Sequence, residues 1–375
     1  MRTVGVEEEL LLVDPLSGEP LSVAGAVLSQ AERARAGSPA AVDHAEDEGP
    51  GGTLEGELQQ QQLEIDTRPH TDLGELGVEL VEWRRRADAS ARAVGARVAA
   101  LATSPLPVTP RTTPKERYLR MGEQFGLTHA EQLTCGCHVH VSVESAAEGV
   151  AVLDRIRVWL PVLTALSANS PYWQGQDSEY ASFRSQAWGR WPSAGPIEVQ
   201  GSVRRYRELV ADLLGTGVLL DEAMAYFDAR LSARYPTVEV RVADVCLRAD
   251  DAVLIAALCR GLVETAARDA RAGNDAPAAP AALLRLAAWR AARSGTADVL
   301  VHPADWRPRR AAEVIADLVD HVRPALTRSG DLQRVESLLE NVLARGSGAR
   351  RQREVLDRSG TLLDVVLDAV ELTCG

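Results

Sequence analysis

The sequence predicts an α+β protein, with a sheet in the first two thirds of the chain and helices in the last third. Three separated segments alternate apolar and polar side chains as half-buried strands do, namely 4–10, 137–141 and 238–242. From about residue 250 the apolar residues follow a helical spacing almost to the end. Because no repeat or decisive linker divides the chain, we expect a single domain over 1–375, sheet-forming in 1–248 and largely helical in 249–375.

Local patterns predict the individual elements. A strand is expected over 3–13, and the turn Asp14–Gly18 after it opens a hairpin. Asp72 and Glu75 suit the start of a helix predicted over 72–103. Residues 31–56 are rich in Ala, Gly, Pro and acidic residues without a period, which indicates a surface loop. The other predictions are strands over 57–66, 133–144 and 236–245, helices over 149–168 and 203–215, and helix breaks at 273–277, 294–295, 302–303 and 345–348.

Composition and charge exclude several classes of protein. A hydrophobic content of 46% is enough for a large core, the net charge is −12, and Lys115 is the only lysine among 41 basic residues. Without a basic tract, neither nucleic acid nor an anionic membrane is an expected partner. The chain starts in a strand pattern and has no long uncharged apolar run, so we expect a cytoplasmic location. Its five scattered cysteines indicate reduced thiols.

Acidic and histidine side chains share faces on the three strand segments. Side chains two residues apart point the same way, so Glu7 lies with Glu9, His138 with His140, and Glu239 with Arg241. A single acidic residue on a strand usually just faces solvent. Several together repel by roughly 4 kcal/mol per pair at 4 Å, which a nearby cation must offset. Carboxylates with a single imidazole suit magnesium or manganese better than zinc.

The sequence Cys135-Gly136-Cys137-His138 offers zinc as an alternative metal. In a regular strand, however, both cysteines point away from His138 and His140, so the four cannot form one tetrahedral shell without a bulge. The same geometry leaves no thiol beside a histidine that could activate it as a nucleophile. We expect both cysteines to be core residues.

The chain carries none of the common nucleotide-binding loops. It has neither a Gly-x-x-x-x-Gly-Lys-Ser/Thr motif nor a Gly-x-Gly-x-x-Gly motif between a strand and a helix. Arg184 and Arg190 lie among aromatic residues and could bind phosphate or carboxylate with paired donors. The alternative is that they are surface arginines stacked on Trp188 and Trp191.

These segments together resemble the carboxylate-amine ligase branch of the glutamate-cysteine ligase type 2 family. The likeness runs over nearly the whole chain and is carried by Val4–Glu9, Gln62–Ile65, Cys137–His140, Ser170–Gly175, Arg190–Pro192 and Thr237–Asp244. It implies a glutamine synthetase-like fold, in which a curved antiparallel sheet carries the active site. It also implies ATP-dependent joining of a carboxylate to an amine, glutamate and cysteine being the pair that the family name suggests.

The resemblance also implies roles for individual residues. Arg241 would contact phosphate, and Arg184 or Arg190 would help it to stabilise the phosphoryl group. Glu57 and Glu64 match two carboxylates of a middle strand, but their spacing of seven lets Glu57 join only if a bulge intervenes. The metal ligands would be Glu7, Glu9, Glu57, Glu64, His138 and Glu239, and the nucleotide contacts would be His140, Arg241 and Glu57.

Three functions remain open at this stage. The first is a ligase that uses ATP and magnesium or manganese to activate a small carboxylate as an acyl phosphate for attack by an amine. The second is a metal-dependent hydrolase of an amide or cyclic imide, which would work without ATP. The third is a nucleotide-binding protein without turnover, against which the intact acidic set argues. A homodimer is the expected assembly, because it is the commonest one.

Overall fold

The computed structural model describes residues 1–36 and 51–374. The strands in this part of the chain are β1 (Val4–Val13), β2 (Thr53–Gly56), β3 (Gln62–Asp66), β4 (Arg97–Ala99), β5 (Gly136–Ser142), β6 (Tyr172–Trp173), β7 (Gln176–Asp177), β8 (Ala229–Leu231), β9 (Thr237–Asp244), β10 (Val299–Val301) and β11 (Pro308–Arg310). The helices of the first two thirds are α1 (Ala24–Ala36), α2 (Leu73–Arg92), α3 (Glu116–Phe125), α4 (Leu127–Ala130), α5 (Ala146–Ile156), α6 (Leu160–Ser167), α7 (Phe183–Trp188) and α8 (Val203–Gly215). The helices of the last third are α9 (Ala249–Arg271), α10 (Ala281–Ser294), α11 (Ala311–Ser329), α12 (Leu332–Arg345), α13 (Gly348–Ser359) and α14 (Leu362–Thr373).

An antiparallel sheet organises the molecule, in the order β2-β3-β1-β5-β9-β8, with β4 paired to the far end of β1. Valines alternate along β1, β5 and β9 and turn one face of the sheet into a core that α5, α6 and α9 cover. The other face carries the acidic and histidine side chains. The fold is therefore α+β with an antiparallel sheet, as predicted.

Most elements lie where the sequence analysis predicted them, but some predicted elements were too long. Gly95 adopts a φ of +81°, which stops α2 and leads into β4, so the helix predicted to residue 103 ends at Arg92. The helix predicted over 149–168 is two helices, because Pro161 lacks the N–H that a continuous helix would need. Asp72 caps α2 as expected, accepting hydrogen bonds from the N–H groups of Gly74 and Glu75.

Two further predictions were wrong in part. The predicted loop over 31–56 contains the end of α1 and all of β2, and its residues 37–50 lie outside the described residues. The strand predicted over 57–66 starts only at Gln62, so Glu57 lies in the connection between β2 and β3. The final third is helical as predicted, apart from the short hairpin of β10 and β11. No helix in 1–36 or 51–374 is long and apolar enough to cross a membrane.

Candidate active site

A cavity of about 790 Å³ opens over the polar face of the sheet. Strand pairing determines which side chains meet in it: Glu7 lies opposite His138 on β5, and Glu9 lies opposite Glu64 on β3. His140 in turn lies opposite Glu239 on β9. The register therefore brings together acidic and histidine residues that are far apart in the sequence.

The first group of possible metal ligands consists of Glu7, His140 and Glu239, each with a ligand atom within 4.8 Å of the others. Glu7 Oε1 lies 2.8 Å from His140 Nε2, and Glu7 Oε2 lies 3.3 Å from His138 Nδ1. The resemblance assigned the metal to His138 and the nucleotide to His140, whereas the structure places His140 in this group.

His138 nevertheless has the features of a ligand. Burial and the nearby charge of Arg241 lower the pKa of His138 to about 4, so its imidazole is neutral. With Nδ1 facing Glu7, its buried Nε2 has no hydrogen-bond partner among the described residues. A buried, unpartnered imidazole nitrogen is suited to bind a metal ion.

The second group consists of Glu9, Glu57 and Glu64, also within 4.8 Å of one another. Glu57 reaches it from the connection that precedes β3, so the odd spacing from Glu64 needs no bulge within the strand. Glu9 Oε2 accepts a hydrogen bond from the N–H of Gly136 at 2.6 Å, which fixes its orientation. β1 contributes one residue to each group, Glu7 to the first and Glu9 to the second.

Burial and mutual repulsion keep part of this cluster protonated. Burial, followed by the charge of Glu57, raises the pKa of Glu9 to about 7 and that of Glu64 well above its usual range. Burial alone would also raise the pKa of Glu7, but His140 and His138 hold it well below the usual range. Ionisation of Glu9 and Glu64 is thus unfavourable in the protein alone, and a bound cation would offset that cost.

Arginines surround the first group. Burial opposes ionisation of Glu239, but Arg241 and Arg230 lower its pKa to about 2. Arg230 binds both carboxylate oxygens of Glu239, at 2.7 and 3.1 Å, and Arg241 contacts the same carboxylate. Arg241 also lies over the ring of Trp188, its Cζ 5.8 Å from the ring centroid.

The structure separates the other two predicted arginines. Arg184 is 2% exposed and stacks on Trp188, with its guanidinium next to Gly136 and the second group. Arg190 instead forms an ion pair with Glu131 and lies over Trp173, and it does not line the cavity. The alternative, surface arginines stacked on Trp188 and Trp191, describes neither residue fully. Arg184 is stacked on Trp188 but buried, and Arg190 is stacked on Trp173 instead. Neither arginine lines the cavity, but the charge of Arg184 acts on Glu9.

The cysteines do not take part in either group. Cys137 packs in the core with Val139 and Val141, as predicted from their shared face. Cys135 precedes β5 and lies in a second apolar cluster, where its sulfur is 3.6 Å from Nε2 of Gln62. Burial raises the pKa of both thiols well above the usual range, so both remain protonated. In the part of the chain described, the possible metal ligands are carboxylates and imidazole without a thiol, which fits magnesium or manganese.

Two residues of the site were missed by sequence reasoning. Asp66 lies opposite Glu7, and burial and the Glu7 charge raise its pKa to about 7. Its position two residues after Glu64 could have revealed it. Arg230 lies opposite Glu239 on β8, but a strand of three residues is too short to show a pattern.

The fold is that of solved ligases. A glutamate–cysteine ligase from Francisella tularensis, solved in complex with AMP, matches 100% of this chain and 88% of its own with a TM-score of 0.70 at 14% sequence identity. A bifunctional glutathione synthetase from Pasteurella multocida matches 100% of this chain and 52% of its own with a TM-score of 0.65, also at 14% identity. These likenesses show that the chain shares the fold of both structures, a mixed α and β fold with an antiparallel sheet as predicted.

Sequence comparison gives the family. Residues 3–368 match the glutamate-cysteine ligase family 2 (GCS2). The "Putative glutamate--cysteine ligase 2-1" of Streptomyces avermitilis is 56% identical over 375 residues, which is 100% of both chains. The "Putative glutamate--cysteine ligase 2" of Streptomyces coelicolor is 55% identical over 373 residues, covering 100% of this chain and 99% of its own. The chain therefore belongs to the glutamate-cysteine ligase family 2, and it is an ATP-dependent carboxylate-amine ligase as predicted.

Proposed function

We propose that this enzyme joins the side-chain carboxylate of glutamate to the amino group of an amino acid such as cysteine, through an acyl phosphate. The observation that carries the proposal is the pair of possible metal-ligand groups, Glu7–His140–Glu239 and Glu9–Glu57–Glu64, which line one cavity together with Arg241. Arg184 does not line the cavity but is buried next to it, over Trp188, where its charge acts on Glu9. A phosphoryl transfer between two small substrates needs this combination of anionic metal ligands and cationic phosphate contacts.

Each of the two sets of ligands would hold one divalent cation, magnesium or manganese, and His138 would be a further ligand of the first. The cations supply positive charge that neutralises phosphoryl oxygens and orients the triphosphate. Around them the protein contributes rigid placement, because Glu7, Glu9, Glu64, His140 and Glu239 all lie on strands of one sheet.

Two displacement steps account for the chemistry. First, a carboxylate oxygen of glutamate attacks the terminal phosphorus of ATP, the bond to the bridging oxygen breaks, and ADP leaves. Next, the amine attacks the acyl carbon, the bond to the phosphate oxygen breaks, phosphate leaves, and the amine loses a proton to form the amide. Arg241 and Arg184 would stabilise the negative charge that gathers on phosphoryl oxygens in both steps. No side-chain nucleophile is needed, which agrees with the buried, protonated cysteines.

The cavity also provides a way to protect the acyl phosphate. Besides the carboxylates, its lining includes Tyr118, Met121, Trp188, Trp191 and Tyr226, which belong to one hydrophobic cluster. Such a lining excludes water from a reactive intermediate and leaves room for the apolar part of an amino acid.

The proposal is tested by incubating the purified enzyme with ATP and magnesium and a panel of carboxylate and amine pairs, following phosphate release and product mass. We expect phosphate and amide in equal amounts, with glutamate and an amino acid such as cysteine among the best pairs. Amide formation without ATP, or hydrolysis of amides or cyclic imides without ATP, would contradict the proposal and favour a hydrolase. Binding of magnesium-ATP without turnover for any pair would favour a nucleotide-binding protein.

A further inference from the structure

A fully buried carboxylate lies next to the site without being part of either metal-ligand group. Asp244, at the end of β9, is 0% exposed, and its surroundings are equally closed: Asn169, Ser170 and Ser182 are also 0% exposed. A buried carboxylate is costly unless hydrogen bonds satisfy it. The position of its donors shows which part of the molecule the carboxylate holds in place.

All of these hydrogen bonds come from the two segments that meet at the start of α7. Oδ2 of Asp244 accepts from the N–H of Asn169 at 2.8 Å and from the Ser170 hydroxyl at 2.7 Å, and Oδ1 accepts from the Ser182 hydroxyl at 2.8 Å. Ser170 Oγ then accepts the N–H of Arg184 at 2.9 Å. Ser182 is the residue before α7, but its hydroxyl does not cap the helix: it donates to Asp244 and lies 2.7 Å from the Ser185 hydroxyl.

The helix held in this way carries Trp188, which lines the cavity, and Arg184, which is buried next to it and whose charge acts on Glu9. Within the described residues the Arg184 Nε has no hydrogen-bond partner, although the side chain is 2% exposed. Its guanidinium fills the space over Gly136, where an added Cβ would overlap Nη2. A buried guanidinium with unused donors is ready to bind an anion, provided that its backbone cannot move.

We infer that Asp244 is a positioning residue that fixes Arg184, through Ser170 and Ser182, in the geometry that phosphoryl transfer requires. The inference rests on the proposed function and adds to it the part of the structure that orients the arginine. The charge of Arg184 also opposes the effect of burial on the pKa of Asp244, so the two side chains stabilise each other electrostatically.

The same network ties the site to the helical third of the chain. Gln352 of α13 donates to the carbonyl oxygen and to Oδ1 of Asn169, at 2.9 and 2.7 Å, and Asn169 Nδ2 donates to the carbonyls of Ala100 and Val245. The backbone around Asp244 is thus held from several sides. The start of α7 is tied to it by the hydroxyls of Ser170 and Ser182 and by the N–H of Phe183, which donates to the Ser170 carbonyl at 2.9 Å.

The experiment is a double-mutant cycle between Asp244→Asn and Arg184→Lys, with kcat and the KM for ATP measured for each variant. We expect Asp244→Asn to lower kcat about 10- to 100-fold with less than about threefold change in KM, and the double variant to be no slower than Arg184→Lys alone. Effects on kcat that multiply in the double variant would overturn the inference. Ser170→Ala, which removes both a donor to Asp244 and the acceptor of the Arg184 N–H, should reproduce the kcat loss and serves if Asp244→Asn does not fold.

The matched control is Asp154→Asn. Asp154 is another buried carboxylate, which accepts from the N–H groups of Gln200 and Gly201 at 2.7 Å each and does not line the cavity. This variant should lose stability without losing kcat.

A crystal structure of Asp244→Asn gives a readout independent of turnover. The Arg184 guanidinium should move away from Gly136, and an unmoved Arg184 would refute the inference. An inactive wild type would refute the proposed function and leave this structural result valid.

Discussion

Glu9 and Glu64 lie directly opposite each other on β1 and β3, and both face the same cavity. Cross-strand like charges destabilise a sheet, so an arrangement of this kind has a functional cause. Burial and the charge of Glu57 raise the pKa of both carboxyls, which means that the protein without metal keeps protons on this cluster.

Metal binding should therefore release protons. Glu9 has a pKa of about 7 in the folded protein, above its value in an unfolded chain, so its protonated form stabilises the fold and this stability is lost as pH rises through about 7. A divalent cation needs the ionised form, so its affinity should rise as pH rises through about 7, where Glu9 loses its proton. Calorimetric titration with magnesium in two buffers of different ionisation enthalpy, at about pH 6 and above pH 8, measures the protons released.

In this experiment Glu9→Gln is the comparison. It should release fewer protons at the lower pH and bind magnesium more weakly, while being more stable than the wild type at high pH in the absence of metal. Equal proton release by the wild type and the variant would show that Glu9 does not titrate as stated.

The metal ligands can be tested by removing one carboxylate from each group. Glu9→Ala and Glu239→Ala should each lower turnover more than about a hundredfold at saturating magnesium, because a cation loses a charged ligand. Circular dichroism should show an intact fold. Glu55→Ala is the control, since Glu55 is exposed and lines the cavity outside both groups, and its turnover should stay near normal. Near-normal activity of either test variant would remove that residue from the site.

Arg241 should act mainly in the transition state. Lysine keeps the charge but loses the paired donors, so Arg241→Lys should lower kcat roughly ten- to a thousandfold with a smaller effect on ATP affinity. Positional isotope exchange tests the same step: with the carboxylate substrate and without the amine, the wild type should move oxygen label between bridging and non-bridging β-phosphoryl positions of ATP, and the variant should do so slowly. Full turnover without any nucleotide would exclude the acyl phosphate.

The cysteines should prove structural. The double variant Cys135→Ala, Cys137→Ser should lose about 1 to 3 kcal/mol of unfolding free energy through lost packing and a buried hydroxyl, yet keep its metal-dependent activity. Chemical denaturation and metal analysis measure both. Stoichiometric zinc that disappears together with activity in the variant would overturn this assignment.

Sequence reasoning was strongest where the decisive property is local. The alternation along β1, β5 and β9 predicted which side chains share a face, because neighbouring side chains of a strand always alternate. The alternation could not predict that Glu57 reaches the second group from the connection between β2 and β3, since the position of a connection depends on packing between elements. The role of Asp244 was equally hidden, because an aspartate at the end of a strand carries no signal of the donors that surround it.

The order of the strands along the chain also determines when the residues of the site become available during synthesis. Glu7 and Glu9 are among the first residues to leave the ribosome, whereas Glu239, which completes the first group, follows only after β8. Glu9, Glu57 and Glu64 are all present once β3 has emerged. A nascent chain could thus bring the second group together early, whereas Glu7 and Glu239 cannot meet until almost two thirds of the polypeptide has been made. The two groups therefore become complete at different stages of synthesis.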